Sequence, residues 1–425
     1  MNNNEISKNI QAEVEEWNSY LTYLVVFLSV ISFFYIFIVT YRVFIPNEIA
    51  NYLLGIQVQD LYYISAIAGI GSLLAIFFKR LSDHPYFGRK KSTIIFAISM
   101  YALASINIFI YNLILNTIVL TITNMLTISN TSIIVSEEVP AKYRGRAAGI
   151  ISASGMSSSL LASFLATQFF IWPEHSWQLF FILITIPGMI IVLIMGFKIK
   201  ETRRFLLTKD NNTKGKQVNF REVFERKNIR PLILISLIIF LTYWIFMTIK
   251  SYFKPYMLEL GFSNLDIGIM GMLSYPGSMI GYFSSGYLSD HFGRKGTICF
   301  GVSVYFIGTL FFLFSNQFWI MLIGALIVNL TWGIFYTTCE LLSTEFFNTK
   351  IRATAQGVIF FFGSTSIVLG GLIMAPISKI FGWQNLFFWI GTFSIICVII
   401  TVLLLPETKG RVLEEIIITE INGGI

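Results

Sequence analysis

Long apolar stretches alternate with short polar loops along nearly the whole chain. Residues 21–44, 61–78, 92–111, 113–135, 147–170 and 179–197 form a first set of such stretches, and 231–252, 267–288, 297–314, 318–342, 354–377 and 386–405 form a second. Each is close to the roughly 20 apolar residues needed to cross about 30 Å of hydrocarbon. Lipid offers no partner to a bare peptide group, so segments of this length are predicted to be helices. The pattern predicts an all-α membrane protein of twelve transmembrane helices, arranged as two pseudo-symmetric six-helix bundles. Residues 1–20 precede the first bundle (21–197), residues 198–230 link it to the second (231–405), and 406–425 form a tail. Within the linker, residues 220–227 are expected to make a short amphipathic helix on the membrane surface.

The polar loops repeat as well as the apolar spans. Leu81-Ser82-Asp83-His84 and Phe87-Gly88-Arg89-Lys90 follow span two, and Leu288-Ser289-Asp290-His291-Phe292-Gly293-Arg294-Lys295 follow span eight. Glu137, Pro140, Arg144 and Gly149 after span four match Glu345, Asn348, Arg352 and Gly357 after span ten, and Glu201-Thr202 matches Glu407-Thr408. Three loop signatures recurring in order indicate a duplicated unit. The first copy carries the insertion Pro85-Tyr86, and a proline restricts the residue before it, so Arg89 is not expected to reach the place of Arg294.

Composition narrows the class further. Hydrophobic residues make up 55% of the 425 and charged ones only 12%, about half the charged share of an ordinary soluble domain. Of the 30 Lys and Arg, all but Arg42, Lys250, Lys254 and Lys379 fall on the face that holds both termini. The positive-inside rule makes that face cytoplasmic, in a cell-membrane protein. Topology thus accounts for the net charge of +7 without nucleic acid. The acidic start, with Glu13, Glu15, Glu16 and Trp17, predicts no removable signal peptide. Cys299, Cys339 and Cys397 lie within spans and lack metal-ligand spacing, so they are read as buried reduced thiols. No metal, no cofactor and no enzymatic activity is expected, because there is no nucleotide-binding Gly-rich loop and no nucleophile with a positioned base.

The doubled Asp…Gly-Arg-Lys loops resemble those of the major facilitator superfamily. So do Glu137-Glu138-Val139-Pro140…Arg144-Gly145, Glu201-Thr202-Arg203-Arg204-Phe205-Leu206 and Pro406-Glu407-Thr408-Lys409-Gly410…Leu413-Glu414-Glu415-Ile416, most closely in its sugar-porter and metabolite-symporter branches. The resemblance runs from about Leu21 to Ile416. It implies alternating access, with spans one, four, seven and ten lining a central cavity. The sugar-specifying amides of that branch are missing: Ser152 stands where a Gln would, and span seven reads Leu241-Thr242-Tyr243-Trp244. Span one has no acidic residue and span four no Arg, so that branch's usual proton-coupling pair is absent too.

Two groups of candidate residues follow. Asp83, Arg89, Glu137, Arg144, Glu201, Asp290, Arg294, Glu345, Arg352 and Glu407 are read as a cytoplasmic gate, with Arg144 forking between Glu137 and Glu201 and Arg352 between Glu345 and Glu407. Asp83 and Asp290 are placed to face a helix N-terminus of the opposite bundle. For solute binding or coupling, span ten offers the stripe Asn329, Trp332, Tyr336 and Glu340, span seven offers Tyr243 and Lys250, and span four offers Asn124. Glu340 and Lys250 stand out because ionisable groups inside a span are costly and usually functional. Asp60 and Asp266, near a membrane face, are the other carboxylates available for coupling. The chain is expected to be a monomeric secondary transporter in the bilayer, with a small organic solute as its partner. Proton-coupled uptake of an organic anion leads the readings. A sugar-type facilitator, a drug exporter and a non-transporting sensor on a carrier fold are the alternatives.

Overall fold

A computed structural model describes residues 16–45, 49–50, 54–56, 61, 64–65, 67–126, 130–168, 176–206, 220–348, 350–405 and 407. Its long helices are α1 Ser19–Phe44, α2 Ile70–Leu81, α3 Gly88–Asn107, α4 Leu113–Met125, α5 Thr131–Glu138, α6 Arg144–Gln168 and α7 Ser176–Lys198 in the first half. The second half holds α8 Arg226–Glu259, α9 Asn264–His291, α10 Gly293–Leu313, α11 Phe318–Glu345, α12 Arg352–Phe381 and α13 Trp383–Leu404. Every predicted span contains helix, and span four contributes both α4 and α5. Side-chain oxygens start several of them, because the first turn of a helix has peptide N–H groups without partners. Asn18 accepts from the Leu21 N–H at 2.9 Å, Asn112 from Leu115 at 3.0 Å, and Ser263 with Asp266 closes a capping box at α9. Asp266 is thereby engaged in capping, and Asp60 lies outside the described residues.

Two apolar clusters divide almost at the middle of the chain. One gathers residues from Leu21 to Ile199 with Leu341 of the second half, and the other gathers residues from Val223 to Leu405 with Ala153 and Met156 of the first. Outward surfaces are apolar too: Phe197, Ile194, Ile380 and Leu403 are strongly exposed. A surface of that kind suits hydrocarbon rather than water. The turn at Phe220–Phe224 is shorter than the amphipathic helix expected there. It buries Val223 in the second half's cluster and pairs Glu222 with Lys350 at 2.7 Å, so it docks on protein.

The halves meet along two seams related by the internal repeat, α6 against α9 and α2 against α12. At the first, a Cβ on Gly149 would come within 2.6 Å of the Tyr282 carbonyl oxygen, and one on Gly286 would meet the Gly145 backbone. Apolar burial drives little association between helices already in lipid, so close backbone approach of this kind is what holds them.

The Gly-Arg-Lys loops have a definite local cause. Gly88 and Gly293 open α3 and α10 with φ of 66° and 84°, a conformation costly for residues with a Cβ. A Cβ at either would overlap the carboxylate of Glu201 or Glu407. Those carboxylates accept the first N–H groups of the helices: Arg89 at 2.9 Å and Lys90 at 3.2 Å for Glu201, Arg294 at 2.9 Å and Lys295 at 3.2 Å for Glu407. Gly293→Ala is expected to cost about 2 kcal/mol, combining left-handed strain with a weakened cap. Gly296→Ala, where the added Cβ meets only Phe292 at 3.6 Å, should leave the midpoint unchanged or raise it. Thermal denaturation of the purified variants checks the contrast.

Candidate functional site

The charged loops converge on one face of the molecule, where both seams end. Arg89 there is fully buried and donates Nη1 to the Ser82 carbonyl at 2.7 Å and to Asp83 at 2.6 Å. Its Nη2 and Nε donate to Glu137 at 3.1 and 3.3 Å. Arg294 repeats the arrangement with Ser289 at 2.8 Å, Asp290 at 3.2 Å and Glu345 at 3.0 Å. The Pro85-Tyr86 insertion therefore does not displace Arg89. The extra residues bulge outward in a turn closed from the Phe87 N–H to the His84 carbonyl, which leaves Tyr86 81% exposed.

The expected fork is reassigned. Arg89 and Arg294 take two carboxylates each, whereas Glu201 and Glu407 are spent on helix N-termini within their own halves. Arg144 donates Nε to the Val139 carbonyl at 3.0 Å, and Arg352 donates Nε to the Thr344 and Phe347 carbonyls, so both close their own loops. Sequence spacing hid this because the second carboxylate of each fork, Glu137 or Glu345, comes from a different loop, 48 or 51 residues along the chain.

Contacts across the halves are concentrated on two carboxylates. Glu137 accepts from Arg352 of the second half at 3.0 Å while it holds Arg89 of the first, and the Thr202 hydroxyl adds a bond of 2.6 Å. Asp83 accepts the Thr354 N–H at 2.7 Å, its hydroxyl at 2.5 Å and the Ala353 N–H at 3.3 Å, all at the start of α12. A carboxylate at a helix N-terminus is stabilised by the macrodipole. Asp83, Glu137, Arg89 and Arg352 balance in charge, which makes their burial tolerable. Burial alone would push the Glu137 carboxyl up, but Arg89 and Arg352 outweigh it and hold it below its usual value. At the other seam, Asp290 lies 4.0 Å from Arg146 of the first half.

Deeper between the halves lies a tyrosine-rich interior. Tyr243 of α8 packs against Trp332 at 5.6 Å, Tyr336 at 6.3 Å and Phe360 at 6.3 Å between ring centres. Tyr336 lies 5.3 Å from Trp332 and 6.1 Å from Tyr282. One turn along α11 from Tyr336 is Glu340. Tyr35, Tyr336 and Glu340 are only partly buried.

The remaining candidates fall elsewhere. Asn329 accepts from Ser278 at 3.0 Å and donates to the Ala325 carbonyl, and Asn124 donates to the Ala68 carbonyl at 3.0 Å, so both amides serve packing within their own halves. Lys250 lies on α8, and its side chain is outside the described residues. Cys339 and Cys397 are buried and Cys299 is half-buried; all three are free thiols. Spacing missed Lys79 and the inter-half bond from Gln356 to Ser132 at 2.7 Å. Lys79 is 7% exposed, although its place beside a loop made it look like one more topology charge.

Arg352→Ala breaks the Glu137 bridge between the halves and should open the charged face. Removing one partner of a buried pair costs about 3–5 kcal/mol. A cysteine placed at Ile76, which packs on Gly357 across the second seam, should then react at least tenfold faster with a polar thiol reagent. Glu407→Gln, confined to one half, should leave that rate near the parent's. The Glu137 contribution to closure is complete above its ordinary value of 4.5 and lost only as pH falls through the lowered one.

The profile described as Major Facilitator Superfamily matches residues 22–263 and 232–416. The chain is 26% identical over 295 residues to a probable 4-methylmuconolactone transporter of Cupriavidus pinatubonensis, covering 67% of this chain and 66% of that one. It is 24% identical over 373 residues to a candidate niacin/nicotinamide transporter, NiaP, of Bacillus subtilis, covering 84% and 89%. Its fold matches that of the proton:xylose symporter XylE, solved with 6-bromo-6-deoxy-D-glucose, with a TM-score of 0.77 at 16% identity, over 94% of this chain and 98% of that one. With the profile spanning nearly the whole chain and the duplicated loops built alike in both halves, this multi-pass membrane transporter belongs to the Major Facilitator Superfamily.

Proposed function

We propose that the protein moves a small, planar organic acid together with a proton by alternating access. The observation that carries this reading is Glu340, a partly buried carboxylate inside span ten, one turn along α11 from Tyr336 and its ring contacts with Tyr243, Tyr282 and Trp332. A carboxylate in such a place changes its proton occupancy when its surroundings open to water. The aromatic faces of Trp332, Tyr243 and Tyr336 suit a flat, unsaturated solute better than a polyhydroxylated one. The relatives named for niacin and for 4-methylmuconolactone point the same way. Interior acids of this kind usually mark proton relays.

The charged face is the cytoplasmic one in this reading, with both termini on it, since that is where the Lys and Arg concentrate. The ion-paired loops act there as a latch, and the protein works as a monomer in the cell membrane. Once water enters, such pairs are worth on the order of 1 kcal/mol or less apiece. The latch thus biases the two-state balance without fixing it.

In proteoliposomes, radiolabelled nicotinate should accumulate when the outside is made acidic. Glu340→Gln should abolish that accumulation, by at least tenfold, without lowering the thermal midpoint. PH-driven accumulation that persists unchanged in Glu340→Gln removes the residue from coupling, and sugar uptake indifferent to pH would favour a facilitator.

A further inference from the structure

The two seams correspond in the sequence repeat but are held by different means. Arg144 and Arg352 match at the starts of α6 and α12, and the copies diverge from the next residue onward. On α12, Ala353 and Thr354 donate their N–H groups to Asp83 of the first half, and Thr354 adds its hydroxyl. Gln356 donates Nε2 to Ser132 of the first half at 2.7 Å. The counterparts of these residues on α6 are Gly145, Arg146 and Ala148. Gly145 and Ala148 have no side-chain donor, and the Arg146 guanidinium, on a side chain 54% exposed, stops 4.0 Å from Asp290. Four hydrogen bonds thus cross the second seam at positions where the first has one loose ion pair.

The loop that each helix start meets differs in the same sense. Ser82 Oγ meets Ser92 at 2.9 Å, Asp83 Oδ2 takes the Thr354 N–H at 2.7 Å, and Arg89 Nε donates to Glu137 at 3.3 Å. The matching atoms of the second copy, Ser289 Oγ, Asp290 Oδ2 and Arg294 Nε, are buried without a hydrogen-bond partner among the described residues. A buried polar atom left unpaired keeps its desolvation cost, so this copy grips less firmly. Shape binds the first seam instead. A Cβ on Gly145 would lie 2.6 Å from Asp290 Oδ1, one on Gly286 2.5 Å from the Gly145 carbonyl oxygen, and one on Gly149 2.6 Å from that of Tyr282. Ala153 and Met156 continue this face of α6 at steps of four and three, and both belong to the apolar cluster of the second half. At the second seam a Cβ on Gly357 would meet the Ile76 side chain at 3.3 Å and that of Lys79 at 3.4 Å, so side chains space the helices there.

We propose that the charged face opens on one side: α12 parts from α2 at the second seam, while α6 keeps its contact with α9 and serves as the pivot. Water entering the second seam offers new partners to every donor and acceptor it separates, so those bonds are exchanged rather than lost. Nothing replaces the glycine contacts so readily, because atoms that lose their close neighbours forfeit the attraction outright. Backbone surfaces without protruding side chains can also turn on one another without unlocking a ridge. The inference concerns the motion and holds whatever solute is carried.

Distances between spin labels in lipid nanodiscs test it, in full-length protein with Cys299→Ala, Cys339→Ala and Cys397→Ala. Labels on Phe77→Cys and Asn348→Cys report the second seam, and labels on Ile150→Cys and Tyr287→Cys the first; all four positions are exposed. Asp83→Asn should lengthen the Phe77–Asn348 distance at least threefold more than the Ile150–Tyr287 distance. Gln356→Leu, which removes a cross-seam bond without stranding a charge, should repeat the contrast on a smaller scale. Asp290→Asn should raise the population of the long Phe77–Asn348 distance less than a third as much as Asp83→Asn does. Equal lengthening at both seams, equal effects of Asp83→Asn and Asp290→Asn, or no change at the second seam in both Asp83→Asn and Gln356→Leu overturns the one-sided opening.

Discussion

Glu137 is the point on which the two halves depend. One carboxylate holds Arg89 of its own half and Arg352 of the other, and Thr202 satisfies a further lone pair. The cluster is buried and electrically balanced, so neither guanidinium is left without a counter-charge. Asp83 extends the contact by meeting the start of α12. Helices in lipid gain little from burying apolar surface against one another, so a few charged bonds and close glycine contacts govern how the halves associate.

The duplicated loops divide labour in a way their spacing only partly discloses. Glycine, arginine and lysine in each copy have separate tasks: room for a carboxylate, the fork, and the capped backbone. Glu201 and Glu407 stiffen a half by tying its last helix to its third. Glu137 and Arg352 join one half to the other. Similar residue types thus serve both rigidity within a body and adhesion between bodies.

Spans, their number and the repeat were legible in the sequence because apolar length and internal recurrence are one-dimensional signals. Pairings were not. Arg144 and Arg352 were natural forks by position, yet the two-carboxylate role fell to Arg89 and Arg294, whose partners arrive from distant loops. Asn124 and Asn329 sit on polar stripes but turn into their own bundles, since a helical period fixes a face and not what that face meets. Lys79 was obscured by its neighbourhood: one turn inside a helix end, it looks like a topology charge until the opposite helix is seen to cover it.

The enclosure of this charge cluster also separates it from ionic strength. Mobile ions weaken charges they can approach, within about 8 Å at physiological salt, and screen buried pairs far less. The side chains of Arg89, Glu137 and Arg352 present 1% or less of their surface to solvent. Changes in ionic strength would therefore leave the electrostatics of this inter-half cluster nearly untouched, while the more exposed charges of Arg146 and Asp290 at the other seam would respond to them.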